Sequence, residues 1–136
     1  MARHFNVPPL LVRILPSWLT AMGYSAAEID EAGRLIEEVA EAGLPVFDFL
    51  AVLSLDSYKN RLDEITGLLD KLPAGLSNIL MHPAVDTPEL RAIAPDWRCR
   101  VADYELFTGD ALRAALQASG VHVIGFRALR DAMADS

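Results

Sequence analysis

Short apolar runs alternate along this chain with stretches whose apolar residues recur at helical spacing, and that alternation limits the folds open to it. Pro9 to Val12 is a short run that ends at Arg13. Pro16 to Tyr24 is mixed and holds about one helical turn. Ser25 with Glu28 three residues on has capping-box spacing. The helix it opens carries Ile29, Ala32, Leu35, Ile36, Val39 and Ala40 on one face and stops at Gly43. Pro45 to Leu50 reads as the next strand. Asp56 or Ser57 opens a helix with Leu62, Ile65, Leu68, Leu69 and Leu72 on its apolar face, and Pro73-Ala74-Gly75 breaks it. Leu76 to Met81 is a third strand, ending at His82-Pro83. Pro88 suits the first turn of a short helix. Asp96 caps another helix through about Phe107, and Thr108 caps the next, which stops at Gly120. Val121 to Ile124 is a fourth strand, and Phe126 to Met133 closes the chain before a short polar tail.

Strands alternating with helices imply right-handed crossovers and a parallel sheet. The strands are short and mostly apolar, as strands covered on both faces are. The expected class is α/β, with a parallel four-stranded βα repeat. Four such strands fit an open doubly wound sheet, and they equally fit half of an eight-stranded barrel. The 136 residues suit one domain, residues 1–136. Ala2 to Asn6 reads as the last turn of a helix, so the chain is expected to be cut from something longer.

Charge narrows the partners. The formal net charge is -7, and no basic cluster interrupts it, so a phosphate backbone is not expected as a ligand. The apolar run near Val7 to Val12 is too short for a signal h-region or a membrane span, which makes a cytoplasmic location the default expectation. Cys99 has no second cysteine to pair with and reads as a packing thiol, although the arginines on either side would favour a thiolate. The sequence contains no G-x-G-x-x-G, no P-loop and no G-x-S-x-G.

In parallel α/β folds, ligands meet the C-terminal ends of strands. Arg13 follows the first expected strand, Asp48 lies in the second, and His82 ends the third. Each has a plain structural alternative. An Arg13–Asp48 salt bridge would satisfy both side chains, and a strand-end histidine is often a hydrogen-bonded structural residue. His4, His82 and His122 are scattered, without metal-ligand spacing.

The run Leu72-Pro73-Ala74-Gly75-Leu76-Ser77-Asn78-Ile79-Leu80-Met81-His82-Pro83-Ala84 resembles the Leu-Pro-x-Gly-x-Ser/Thr-Glu-Ile/Leu/Met-x-x-His-Pro-Gly/Ala segment of the YdjC-like (ChbG/HpnK) carbohydrate deacetylases. Asp96 to Phe107 is similar to that family's Arg-x-x-Glu-x-x-x-Leu helix region, and Gly120 to Leu129 to its closing segment. Phe5 to Arg13 resembles the strand that ends in the family's arginine. Asn78 stands where many members have Glu, and Ala84 where many have Gly.

The resemblance implies half of a (β/α) barrel-like deacetylase fold, the C-terminal half. It implies metal-dependent deacetylation of an N-acetylated, chito-oligosaccharide-like carbohydrate. It implies His82 as the catalytic residue that protonates the departing amine or binds the acetyl oxygen, and Arg13 and Asp48 as substrate-binding residues. The family's divalent ion, magnesium or zinc, takes its ligands from an Asp-Asp segment and two histidine motifs, and this chain carries none of them. A chain without them is expected to be incomplete and inactive alone. The alternatives are a non-catalytic half-barrel that binds or self-assembles, with open sheet edges that invite a homodimer, and an unrelated flavodoxin-like binding domain.

Overall fold

The computed structural model describes residues 2–13 and 15–134, and the polar tail at 135–136 lies outside them. The helices are α1 (Ala2–Phe5), α2 (Pro16–Ala21), α3 (Ala26–Glu41), α4 (Arg61–Leu69), α5 (Pro88–Ile93), α6 (Trp97–Thr108), α7 (Asp110–Ser119) and α8 (Phe126–Ala134). Two strands, β1 (Phe49–Val52) and β2 (Ser77–Leu80), form a parallel sheet. Val12 adds a parallel bridge to Phe47. The arrangement is mixed helix and strand, compatible with an α/β fold.

The first expected strand shrinks to that bridge for a covalent reason. Pro8 and Pro9 have no N–H to donate, so pairing begins only where the Phe47 N–H meets the Leu11 carbonyl at 2.7 Å and the Arg13 N–H meets the Phe47 carbonyl at 2.9 Å. The expected fourth strand does not form. Val121 to Ile124 makes no ladder among the described residues, and Val123 and Ile124 are 73% and 51% exposed. Strand geometry leaves its backbone groups unsatisfied unless a neighbour lies alongside, and this short run between Gly120 and Gly125 has none. The described residues thus show two strands and one bridge, and not the expected four-stranded repeat.

Contacts divide the chain into two compact units. The first comprises residues 1–50, 73–78 and 124–136. Its buried side chains are Pro8, Phe47, Leu129 and Met133, and the Phe47 ring meets Phe126 with centroids 6.3 Å apart. α3 starts in a complete capping box. The Glu28 N–H donates to Ser25 Oγ at 3.4 Å, and the Ser25 N–H donates back to Glu28 Oε2 at 2.8 Å. It ends at Glu41, and Gly43 just beyond the Ala42 C-cap has a φ of 77°, the left-handed geometry a glycine supplies past a helix end.

The second unit comprises residues 51–72 and 79–123. Its core is Leu53, Ile65 and Leu112, lined by Leu68, Ile79, Leu106, Phe107 and Leu116. Each fully buried aliphatic side chain contributes roughly 1.5–3 kcal/mol. α4 packs on both α6 and α7. Two boundaries differ from expectation. Neither Asp56 nor Ser57 opens α4. The Ser54 hydroxyl donates to Asp56 Oδ2 and accepts from the Asp56 N–H, both at 3.0 Å, which turns the chain locally and delays the helix to Arg61. Thr108 ends α6 rather than capping α7, and its hydroxyl donates to the Tyr104 carbonyl at 2.7 Å. Among the described residues, no helix is long and apolar enough to cross a membrane.

Candidate functional site

Arg13 and Asp48 are brought together in the first unit. The Val12–Phe47 bridge places Arg13 beside the start of β1, and Asp48 follows Phe47 on its more exposed side. Arg13 Nε donates to Asp48 Oδ1 at 3.2 Å, and Arg13 Nη1 pairs with Glu37 Oε1 from α3. Asp48 Oδ2 accepts the Leu76 N–H at 2.8 Å, while the Asp48 N–H donates to the Leu76 carbonyl at 2.7 Å. Gly75 makes this possible. At its φ of +121° a Cβ would lie 2.3 Å from Asp48 Oδ2. Both Asp48 oxygens are thus occupied by protein donors, and the guanidinium faces two carboxylates. That is the salt bridge that stood as the structural alternative for this pair. Glu37 was not singled out by the sequence, because it lies on the polar side of an ordinary amphipathic helix.

His82 belongs to the second unit, just beyond β2, in a different setting. Its backbone N–H donates to Asp103 Oδ2 of α6 at 2.9 Å. Two residues on, the Ala84 N–H donates to the Arg100 carbonyl at 3.1 Å. The His-Pro-Ala turn is therefore tied to α6 at both ends. The imidazole is half-buried, and its Nδ1 is sealed without a partner among the described residues.

Asp103 is 0% exposed and Arg61, at the first position of α4, is 5% exposed. Arg61 Nε and Asp103 Oδ1 lie 3.1 Å apart but off the hydrogen-bonding angle, so this contact is a charge pairing without an aligned hydrogen bond. Arg61 places its other donors well, Nη1 on Glu64 Oε2 at 2.8 Å and Nη2 on the Ser54 carbonyl at 2.6 Å. Cys99, one turn before Asp103 on the same buried face, donates from Sγ to the Leu55 carbonyl at 3.0 Å. Nearby, Arg100 forks onto Asp96 with both bonds at 2.9 Å. Those hydrogen bonds hold the Asp96 carboxyl below the usual range. Burial opposes the effect, and the charges of Arg100 and, last, His82 add to it.

Arg61 and Asp103 were missed in the sequence, though a signal existed. Arg61 occupies the buried stripe of Ile65 and Leu69, and Asp103 that of Cys99, each a charge in an apolar register. Among the described residues, no three His, Cys, Asp or Glu side chains cluster so as to hold a metal ion. The donor set here therefore does not fit a divalent cation.

No family model matches the chain. Over 126 residues it is 33% identical to a carbohydrate deacetylase of Thermus thermophilus, a match that covers 90% of this chain and 44% of that protein. The chain is thus a distant homologue of a carbohydrate deacetylase, and it spans less than half the length of that relative.

Proposed function

We propose that this chain forms part of a carbohydrate deacetylase, a hydrolase of the YdjC-like kind, and that it supplies the C-terminal half of the catalytic domain. The substrate is an N-acetylated, chito-oligosaccharide-like carbohydrate. The observation that carries the reading is the 33% identity along 90% of the chain, which includes the His82 segment. In the hydrolysis, water adds to the acetyl carbonyl, the C–N bond breaks, and the nitrogen takes a proton as it leaves. Acetate and a free amino sugar result. His82 is the proton donor in this reading. The ring's Nδ1 is buried without a partner among the described residues, and Nε2 is the nitrogen this proposal assigns to the substrate. Arg13 and Asp48 bind sugar hydroxyls in this proposal, beyond the bonds they already make to each other. A divalent ion, magnesium or zinc, is proposed as the cofactor of the whole enzyme, where it would supply Lewis-acid chemistry.

The test is a chimera in which this chain replaces the matched segment of the Thermus relative, assayed for acetate release from diacetylchitobiose. His82→Ala should lower kcat by about 100-fold or more, the usual worth of a positioned general acid. Equal turnover by the variant would overturn the role of His82.

A second reading is favoured by one feature of the first unit. Phe5, Val7, Leu15, Trp18 and Met22 are 57–66% exposed within a short stretch, a density of apolar surface typical of association faces. In that reading the chain is a self-assembling half-barrel without catalysis. A concentration-independent monomer in sedimentation would count against it.

A further inference from the structure

We infer that Asp103 is a positioning residue for His82, and that the Arg61 guanidinium is what allows a carboxylate to be buried there. The inference rests on the role proposed for His82 and extends it to residues that do not touch the substrate. Three observations converge. The Asp103 carboxylate is fully buried, and one of its oxygens accepts the backbone N–H of His82 at 2.9 Å. A carboxylate stripped of water is costly unless a cation and hydrogen bonds replace that water. Arg61 supplies the cation, itself fixed by Glu64 and the Ser54 carbonyl. The second tie, from the Ala84 N–H to the Arg100 carbonyl, uses backbone alone. A charged side chain is thus spent on the one residue of the turn that carries chemistry.

A structural role would be served as well by apolar residues, since replacing both members of a buried pair is often neutral. The charge-assisted bond to a backbone N–H does something packing does not. It fixes where the His82 backbone sits, and hence where its ring can point. In this arrangement the orientation of the imidazole is set from its own amide, because its Nδ1 has no partner among the described residues to hold the ring from the side.

The test compares the full chain with the double variant Arg61→Met, Asp103→Leu, which removes both charges together, and with Asp103→Asn. Backbone amide exchange is followed by NMR at His82 and at Ala84. In the folded double variant, His82 exchange should accelerate about 10- to 100-fold, the usual worth of a hydrogen bond to a charged acceptor, while Ala84 exchange stays within about threefold of wild type. In the chimera the same variant should lower kcat and leave KM unchanged. Unchanged His82 exchange in the folded double variant would overturn the inference, as would unchanged kcat beside a His82→Ala variant that is inactive. If His82→Ala itself keeps full activity, the proposed function fails, and the exchange at His82 still decides whether Asp103 holds the turn.

Discussion

Two of the chain's guanidinium–carboxylate clusters are alike in chemistry and unlike in surroundings. Arg13, Glu37 and Asp48 meet where water still reaches them, with side chains 36%, 61% and 38% exposed. Arg61 and Asp103 meet where it does not, at 5% and 0%. In the first cluster solvent already satisfies most of each charge, so the pairing adds little, typically about 0–1 kcal/mol. In the second, Asp103 depends on Arg61 for its place in the interior, while Arg61 is held by Asp103 together with Glu64 and the Ser54 carbonyl. The pair need not add much net stability. What it does is make the loss of either partner severe. Burial, and not the number of bonds drawn, separates a contact that decorates a fold from one that constrains it.

That contrast can be broken by experiment. Asp103→Ala leaves Arg61 charged and buried, and is expected to lower unfolding free energy by about 3–5 kcal/mol. Urea denaturation followed by circular dichroism measures it, and a loss below about 1 kcal/mol would erase the distinction between the clusters. Arg13→Ala should cost no more than about 1 kcal/mol. Its effect should shrink further in 1 M salt, where exposed charges are screened beyond about 3 Å. The Asp96–Arg100 pair lies between the extremes, at 20% and 31% exposed, and sharpens the comparison through pH. Asp96 is depressed in the folded protein, mainly by its hydrogen bonds from Arg100. A lowered carboxylate stabilises above its unfolded pKa, about 3.9 for aspartate. That contribution is lost as pH falls through the folded value. The NMR titration midpoint of the Asp96 carboxyl should therefore lie below that of peptide aspartate, and Asp96→Asn should flatten the acid limb of the stability curve.

Much of the fold was legible where the cause is local. Ser25 with Glu28, Pro88, and glycines 43 and 120 mark helix ends through local chemistry; α3 and α5 begin, and α3 and α7 end, close to where those signals stand. Strands were less legible, because a run such as Val121 to Ile124 becomes a strand only if another lies beside it, and nothing within the run reports that. His82 was legible as a polar residue at a strand end. The network beneath it was not, since Arg61 and Asp103 stand far apart in the chain and pair only after α4 and α6 have packed. Their trace in the sequence was two charges of opposite sign, each in the apolar stripe of its own helix.

The buried thiol of Cys99 has a practical consequence. It is the only cysteine in the chain, it is 4% exposed, and its Sγ–H is engaged with the Leu55 carbonyl. A thiol reagent can reach it only while the second unit is transiently open. The rate of labelling then works as a clock built into the native protein. It reports how often the floor beneath the His-Pro turn lifts, with no probe attached and no residue changed.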